Sequence, residues 1–374
     1  MKLRYKIASG FLGLIAVAIG VLAIVIGHTT PCAESTTDTS LLSSVETMQA
    51  VRYGCYGGPE VISYETVAKP VPAGNEVLVR VQSAAVNPLD WHYLRGSPYL
   101  MRLGTGIGAP DDPRLGVDYA GIVEAVGSEV TEFVPGDQVF GGRNGAFAEY
   151  LVVPEDRGIT AMPSDTSFEE AAAVPIAALT ALQALRDKGR VKAGDKVLIN
   201  GASGGVGTYA VQIAKALGAE VHGVCSTRNV ELVRSLGADR VWDYKKDNYT
   251  ESDEQYDVIV DMVGNHSLGA NRGVMQDDGV FVMVGGSKGD WVAPLAGPLS
   301  AMVQAPFVSQ ELVVLLAQIS QDDLRAVADL MAAGKVRSVI DRRYDLSQLA
   351  EAIRYSESGR ARGKIIIRTA ADAP

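Results

Sequence analysis

The chain has 374 residues, 40 of them glycine, with 47% hydrophobic and 21% charged side chains; this is room for about two domains with a large core, and it excludes global disorder. Its 34 basic and 44 acidic residues give a net charge of −10, and Lys2, Arg4 and Lys6 supply three of the positive charges, so the remainder is more acidic still. Such a body repels a phosphate backbone, which excludes a nucleic-acid partner.

Residues 7–27 carry no charge. As a helix they would reach about 32 Å, enough for a bilayer core of about 30 Å. The run is longer than the apolar part of a cleaved signal peptide, so residues 1–28 read as an uncleaved transmembrane anchor. The basic residues precede it, and none follows until Arg52. That bias places the body outside the cytoplasm, whereas the chemistry below asks for an intracellular reductant; the side of the membrane stays open. Residues 29–47, rich in Ser and Thr, read as a flexible tether. Cys32, Cys55 and Cys225 form no Cys-x-x-Cys pair, which argues against a zinc knot and a disulfide scaffold.

From Met48 the texture changes to short β segments divided by Gly and Pro: Val77–Val81, Gly121–Val126, Gln138–Phe140 and Phe147–Val153. Residues 48–172 therefore read as a mostly antiparallel β domain. After Phe168 strands alternate with helices. A helix is expected over Glu169–Leu185, strand Lys196–Asn200, helix Val206–Leu217 and strand Glu220–Cys225. Helix Val230–Leu236 and strands Val241–Tyr244, Tyr256–Val263 and Val280–Val284 follow. This is the pattern of βαβ units on a parallel sheet, placed over 173–310. Residues 287–310 form an apolar insertion with Trp291, Pro294, Met302 and Phe307, suited to a substrate channel, a partner subunit or plain core. Residues 311–374, with helices Asp322–Ala333 and Ser347–Ser356 and strand Lys364–Arg368, complete that sheet and return to the first domain.

Strand Lys196–Asn200 runs into Gly201-Ala202-Ser203-Gly204-Gly205-Val206-Gly207, and a helix follows. Between a strand and a helix, such a loop brings backbone amides to a pyrophosphate at a helix N-terminus. Ser203, Gly204, Gly205 and Val206 are the residues expected to cradle it. About twenty residues on, an NAD site offers a carboxylate to the ribose. Here the second strand ends Cys225-Ser226-Thr227-Arg228-Asn229, with no acid from Val221 to Val230. Ser226 and Arg228 suit a 2′-phosphate, so the cofactor expected is NADPH; the plain alternative is that Arg228 is a solvated helix-start residue.

Further motifs carry a resemblance: Ala85-Val86-Asn87-Pro88-Leu89-Asp90, Gly116-Val117-Asp118-Tyr119-Ala120-Gly121, Pro135-Gly136-Asp137-Gln138-Val139-Phe140, Gly145-Ala146-Phe147-Ala148-Glu149-Tyr150 and Arg360-Ala361-Arg362-Gly363-Lys364. Together with the glycine loop they resemble the medium-chain dehydrogenases/reductases, in the zinc-independent quinone-oxidoreductase branch, over about residues 48–369. The resemblance implies an α/β fold, a Rossmann doubly wound parallel sheet beside a GroES-like, mostly antiparallel β domain. It places Thr180 near the nicotinamide, Gly264 and Gly285 at strand ends lining the cofactor, Tyr244 at the adenosine and Lys364 at the phosphates. Tyr244 has simple packing as its alternative. The family's zinc enzymes carry Cys at the position of Asn87 and His-Glu at Val117-Asp118, so the metal ligands are missing.

Without a metal, a conjugated acceptor, a quinone or an α,β-unsaturated carbonyl, can spread the charge that hydride transfer builds on oxygen. The resemblance puts Asn87 beside the nicotinamide as an amide donor to that oxygen; an Asx-type turn before Pro88 is the equal alternative. Tyr93 is favoured over His92 as proton donor. The activity expected is reduction of a small lipophilic quinone or enone by NADPH. The alternatives are a cofactor-binding scaffold with little turnover and a zinc-independent alcohol or carbonyl dehydrogenase. The resemblance also suggests a homodimer.

Overall fold

A computed structural model of the chain describes residues 20–32, 42–286, 289–291 and 293–369. Two sheets organise the body. The catalytic-side sheet contains β3 (Glu76–Val86), β4 (Asp118–Val126), β5 (Gln138–Gly142), β6 (Tyr150–Pro154) and β7 (Ile159–Ala161), after a separate antiparallel pair, β1 (Thr47–Tyr53) and β2 (Ile62–Ala68). The second sheet is parallel, in the order β10 (Arg240–Asp243), β9 (Glu220–Cys225), β8 (Lys196–Asn200), β11 (Tyr256–Asp261), β12 (Met275–Met283), β13 (Glu311–Val314). Strand β8 is apolar on both faces, as a strand covered by helices on either side must be.

The chain then returns. Strands β14 (Ile340–Asp345) and β15 (Lys364–Arg368) join the first sheet, with β15 antiparallel to the C-terminal half of β3. Each sheet has its own core: Val77, Val79, Tyr119 and Ile367 in one, and Leu179, Ile199, Tyr209 and Val260 in the other. The fold is the α/β arrangement expected, a doubly wound parallel sheet beside a GroES-like β domain.

The helix expected as one piece over Glu169–Leu185 is broken. It runs Phe168–Ala172, resumes at Pro175–Leu182 and widens to a π-turn over Gln183–Lys188. Pro175 has no N–H to continue the first segment and instead starts the second, where that loss costs nothing.

The membrane anchor is corrected. Residues 1–19, the larger part of the expected span, lie outside the described residues. Among the described residues no helix is long and apolar enough to cross a membrane. The end of the apolar run, residues 20–27, is helical, and Ile26 is only 3% exposed. Hydropathy reads composition, and here an apolar residue is spent on a protein contact. Residues 28–32 are likewise held: Thr30 N–H donates to Gly108 O (2.8 Å), and Cys32 forms a disulfide with Cys55. The cross-link corrects the expectation from cysteine spacing, which cannot see a contact made by tertiary docking. Cys225 is free and buried.

Candidate active site

Strand register brings one buried polar cluster together. Ala85 on β3 pairs with Asp118 at the start of β4, and Val86 pairs with Ile365 at the start of β15. Asn87, Asp118 and Lys364 therefore converge at one end of the sheet. Lys364 Nζ donates to Asn87 Oδ1 (2.6 Å) and lies 3.0 Å from Asp118 Oδ2, with both ends of the ion pair buried. Asp118 Oδ1 accepts from Ile176 N–H (3.0 Å) at the start of the Pro175–Leu182 helix. A buried ion pair holds only when the remaining valences are filled, and here an amide oxygen and a helix N-terminus fill them.

The same contact settles how Asn87 is turned. An ammonium can only donate, so the atom facing it is the amide oxygen, and Nδ2 is left as donor. Nδ2 makes one long contact, 3.4 Å to Ala85 O. Asn87 caps the Pro88–Arg95 helix through its backbone N–H, which donates to Asp90 Oδ2 (2.7 Å).

Asp90 is fully buried, and burial pushes its carboxyl up to about 7. The Asp118 carboxylate adds to the rise, while the Asn87 N–H and Lys364 oppose it. The folded protein therefore holds the Asp90 proton over a range where the unfolded chain has released it. Stability from this group is complete below about pH 4 and is lost as pH rises to about 7, at up to about 1.4 kcal/mol per pH unit. Denaturant titrations between about pH 4 and about pH 8 should show this decline in the parent protein, and Asp90→Asn should flatten it.

The glycine loop leads from β8 to the Gly205–Ala216 helix. Its glycines divide by role. A Cβ on Gly207 would lie 2.1 Å from Gly201 O, so this glycine lets the helix pack on the strand. A Cβ on Gly204 would meet nothing nearer than Gly201 O at 3.4 Å. The protein's own packing does not require glycine there, and the space suits a dinucleotide phosphate on the helix N-terminus. The loop also touches the buried cluster. Gly363 N–H donates to Ser203 O (3.0 Å), and a Cβ on Gly205 would lie 3.3 Å from Lys364 Cδ. Lys364 thus runs beneath the loop, with its Nζ on Asn87 and Asp118.

The other expected site residues fall as follows. Val206 opens the helix beside Gly205. Thr180 is buried and bonds its own helix at Ile176 O (2.6 Å). Gly264 adopts φ +67°, and its N–H donates to Asp261 Oδ1 (3.0 Å). Gly285 follows β12 so closely against β11 that a Cβ would lie 2.2 Å from Met262 O. Ser226 follows β9; Asn229 Nδ2 donates to Ser203 Oγ (2.8 Å) and more weakly to Ser226 Oγ (3.4 Å). Tyr244 is half exposed beside Lys245. Arg228 donates to Arg360 O (2.7 Å) and borders a groove of ≈ 450 Å³ that Arg342, Arg354, Arg360 and one carboxylate, Glu351, also line. Among the described residues none of these four arginines forms an ion pair with a carboxylate.

Tyr93 is half-buried against the catalytic-side core, and no hydrogen bond joins it to Asn87, Asp118 or Lys364. His92 Nδ1–H donates to Ser97 O (2.7 Å), and burial keeps its pKa below the ordinary histidine value. Sequence reading missed Asp118 as a partner of Lys364. It also missed Asn200, whose Nδ2 donates to Asp261 Oδ1 and Asn265 Oδ1 (both 2.8 Å) and ties the ends of β8 and β11. Apart from the glycine-loop setting, only the strand pairing could have signalled these.

Two sheets meeting at a glycine loop define a dinucleotide-dependent oxidoreductase. Profiles of the alcohol dehydrogenase GroES-like domain and of the zinc-binding dehydrogenases match residues 73–164 and 236–367. The chain belongs to the medium-chain dehydrogenase/reductase superfamily, in its quinone-oxidoreductase-like family. It is 35% identical to the zinc-type alcohol dehydrogenase-like protein of Schizosaccharomyces pombe, over 87% of this chain and 98% of that one. It is also 35% identical to the chloroplast envelope quinone oxidoreductase homolog of Arabidopsis thaliana, over 86% and 98%. The structure of the quinone oxidoreductase from Coxiella burnetii superposes with a TM-score of 0.75 at 28% identity, over 87% of this chain and all of that one. The cofactor is a nicotinamide dinucleotide.

Proposed function

We propose that the protein is an NADPH-dependent reductase of quinones or α,β-unsaturated carbonyls that works without zinc. The observation that carries this reading is Lys364 Nζ between Asn87 and Asp118. In the family's zinc enzymes these positions serve the metal. Here an ammonium fills the space and repels a second cation, and Asn and Val replace Cys and His. The donor set does not fit zinc.

The residues present fit the dinucleotide. The loop amides from Ser203 to Val206 would hold the pyrophosphate, and Gly264, Gly285 and Thr180 would border the nicotinamide. When bound, the reduced nicotinamide supplies a hydride. Asn87 Nδ2 would donate to the acceptor oxygen as negative charge grows there, and Lys364 keeps the amide from turning over. One neutral donor suffices for a conjugated acceptor, whose charge is delocalised.

NADPH is favoured over NADH by the four arginines at the Arg228 groove, which lack carboxylate partners among the described residues. The nearby Asp243 is engaged by Lys245 N–H (3.1 Å) and lies 3.6 Å from Lys246 Nζ. Ser226, Arg228 and Tyr244 would then receive the 2′-phosphate. Arg228→Ala should cut the preference for NADPH about ten- to a hundredfold, measured as the ratio of kcat/KM with the two dinucleotides. Equal use of both by the unaltered protein would refute NADPH specificity. Acceptor-dependent oxidation of NADPH across quinones, enones and simple ketones tests the reaction itself. Turnover confined to simple ketones would overturn it.

A further inference from the structure

Arg102 is only 2% exposed, and among the described residues no carboxylate forms an ion pair with it. Its Nη1 donates to Ile26 O (3.1 Å), His28 O (2.8 Å) and Thr29 Oγ1 (3.2 Å). Nε and Nη2 donate to Gly96 O (2.8 Å) and Arg95 O (3.2 Å), at the end of the helix that Asn87 begins. The rings of Tyr56 and Tyr99 lie 4.5 and 4.3 Å from the guanidinium. One buried side chain thus ties residues 26–29 to the loop that follows the Asn87 helix. A buried guanidinium that donates to five oxygens on two stretches of the chain fixes the backbones it holds.

Three other contacts hold the same N-terminal segment, to the 96–108 loop, to Cys55 and to Trp291. Thr30 pairs with Gly108, and Cys32 is bonded to Cys55. A Cβ on Gly27 would lie 3.1 Å from the Trp291 ring, which meets Tyr99 edge-on at 4.8 Å. Ser97 Oγ donates to Asp290 Oδ1 (2.6 Å), and Tyr99 N–H donates to Asp290 O (2.8 Å). Asp290 and Trp291 lie a few residues beyond Gly285. The segment therefore sits where the loop after the Asn87 helix meets Asp290 and Trp291, and it lies outside the residues the family profiles match.

We propose that residues 20–32 form a strap that positions loop 96–108 against Trp291, and that the Cys32–Cys55 disulfide locks it. This rests on the reading that the acceptor enters between Asn87 and Gly285. A dithiol reductant supplies two electrons and two protons; the S–S bond becomes two thiols, and the dithiol closes to its own disulfide. Unlocking removes the covalent constraint and leaves the Arg102, Thr30–Gly108 and Gly27–Trp291 contacts to hold the strap.

The test uses the full chain, oxidised, treated with dithiothreitol, and as Cys32→Ser. Amide hydrogen exchange over 96–108 should rise at least about tenfold in the second and third states. KM for a bulky quinone should shift at least about fivefold, with NADPH affinity within about twofold. Arg102→Lys, which cannot fork to carbonyls on both stretches of chain, should give the same exchange change with the disulfide intact. Unchanged exchange after the bond is broken overturns the strap. Raised exchange with an unmoved acceptor KM overturns its positioning role. If no acceptor is reduced in any state, the functional reading fails, and exchange alone decides for or against the strap.

Discussion

Lys364→Met is expected to lower kcat by about 10²–10³ while leaving NADPH affinity within about twofold. The methionine cannot hold the Asn87 amide, so its donor is no longer fixed toward the acceptor oxygen. The same change strips Asp118 of its cation in a site with no water access, a loss of about 3–5 kcal/mol. The two effects are separable. Adding Asp118→Asn removes the unpaired charge but keeps an oxygen for Ile176 N–H. Stability should return in the double variant while kcat stays low. Stopped-flow single turnovers beside denaturant titrations measure both. A Lys364→Met protein with full kcat would remove this cluster from the reaction.

The second large effect belongs to the glycine loop. Gly204→Asp should raise the Kd for NADPH more than about a hundredfold with almost no loss of fold. Gly204 has an extended backbone at the N-cap of the Gly205–Ala216 helix (φ −82°, ψ 179°), where Asp is a favourable residue. A Cβ there meets nothing closer than 3.4 Å. The carboxylate would occupy the place and the helix field a phosphate uses. Gly207→Ala should do the reverse, costing stability by forcing the helix off the strand. Calorimetric titration with NADPH and thermal melts of both variants separate the roles. Unaltered binding by Gly204→Asp would place the dinucleotide elsewhere.

The glycine loop was legible because its signal is local: a strand, a turn and a helix contiguous in sequence. The polar cluster was only half legible. Asn87 and Lys364 stood out within their motifs, but their contact spans 277 positions and follows from the β3–β15 register. Lys364 was expected at the phosphates; its stem passes the loop, and its charge ends on Asn87 and Asp118. The break at Pro175 was visible in principle, since proline starts helices more readily than it continues them. At the end of the apolar run Ile26 is buried against the protein, and hydropathy cannot distinguish such a contact from one with lipid. Arg102, the residue that reveals the difference, lies more than seventy positions away from Ile26.

Because β15 lies against β3, ribosomal synthesis delivers the final piece of the site last. A nascent chain that has not yet emerged past Lys364 leaves the Ser83–Val86 edge of β3 open and Asp118 without its counter-charge. The parallel sheet can form earlier, since its strands end at Val314. A chain cut before β15 would therefore spare one half of the molecule, silence the other, and expose a sticky strand edge to other chains.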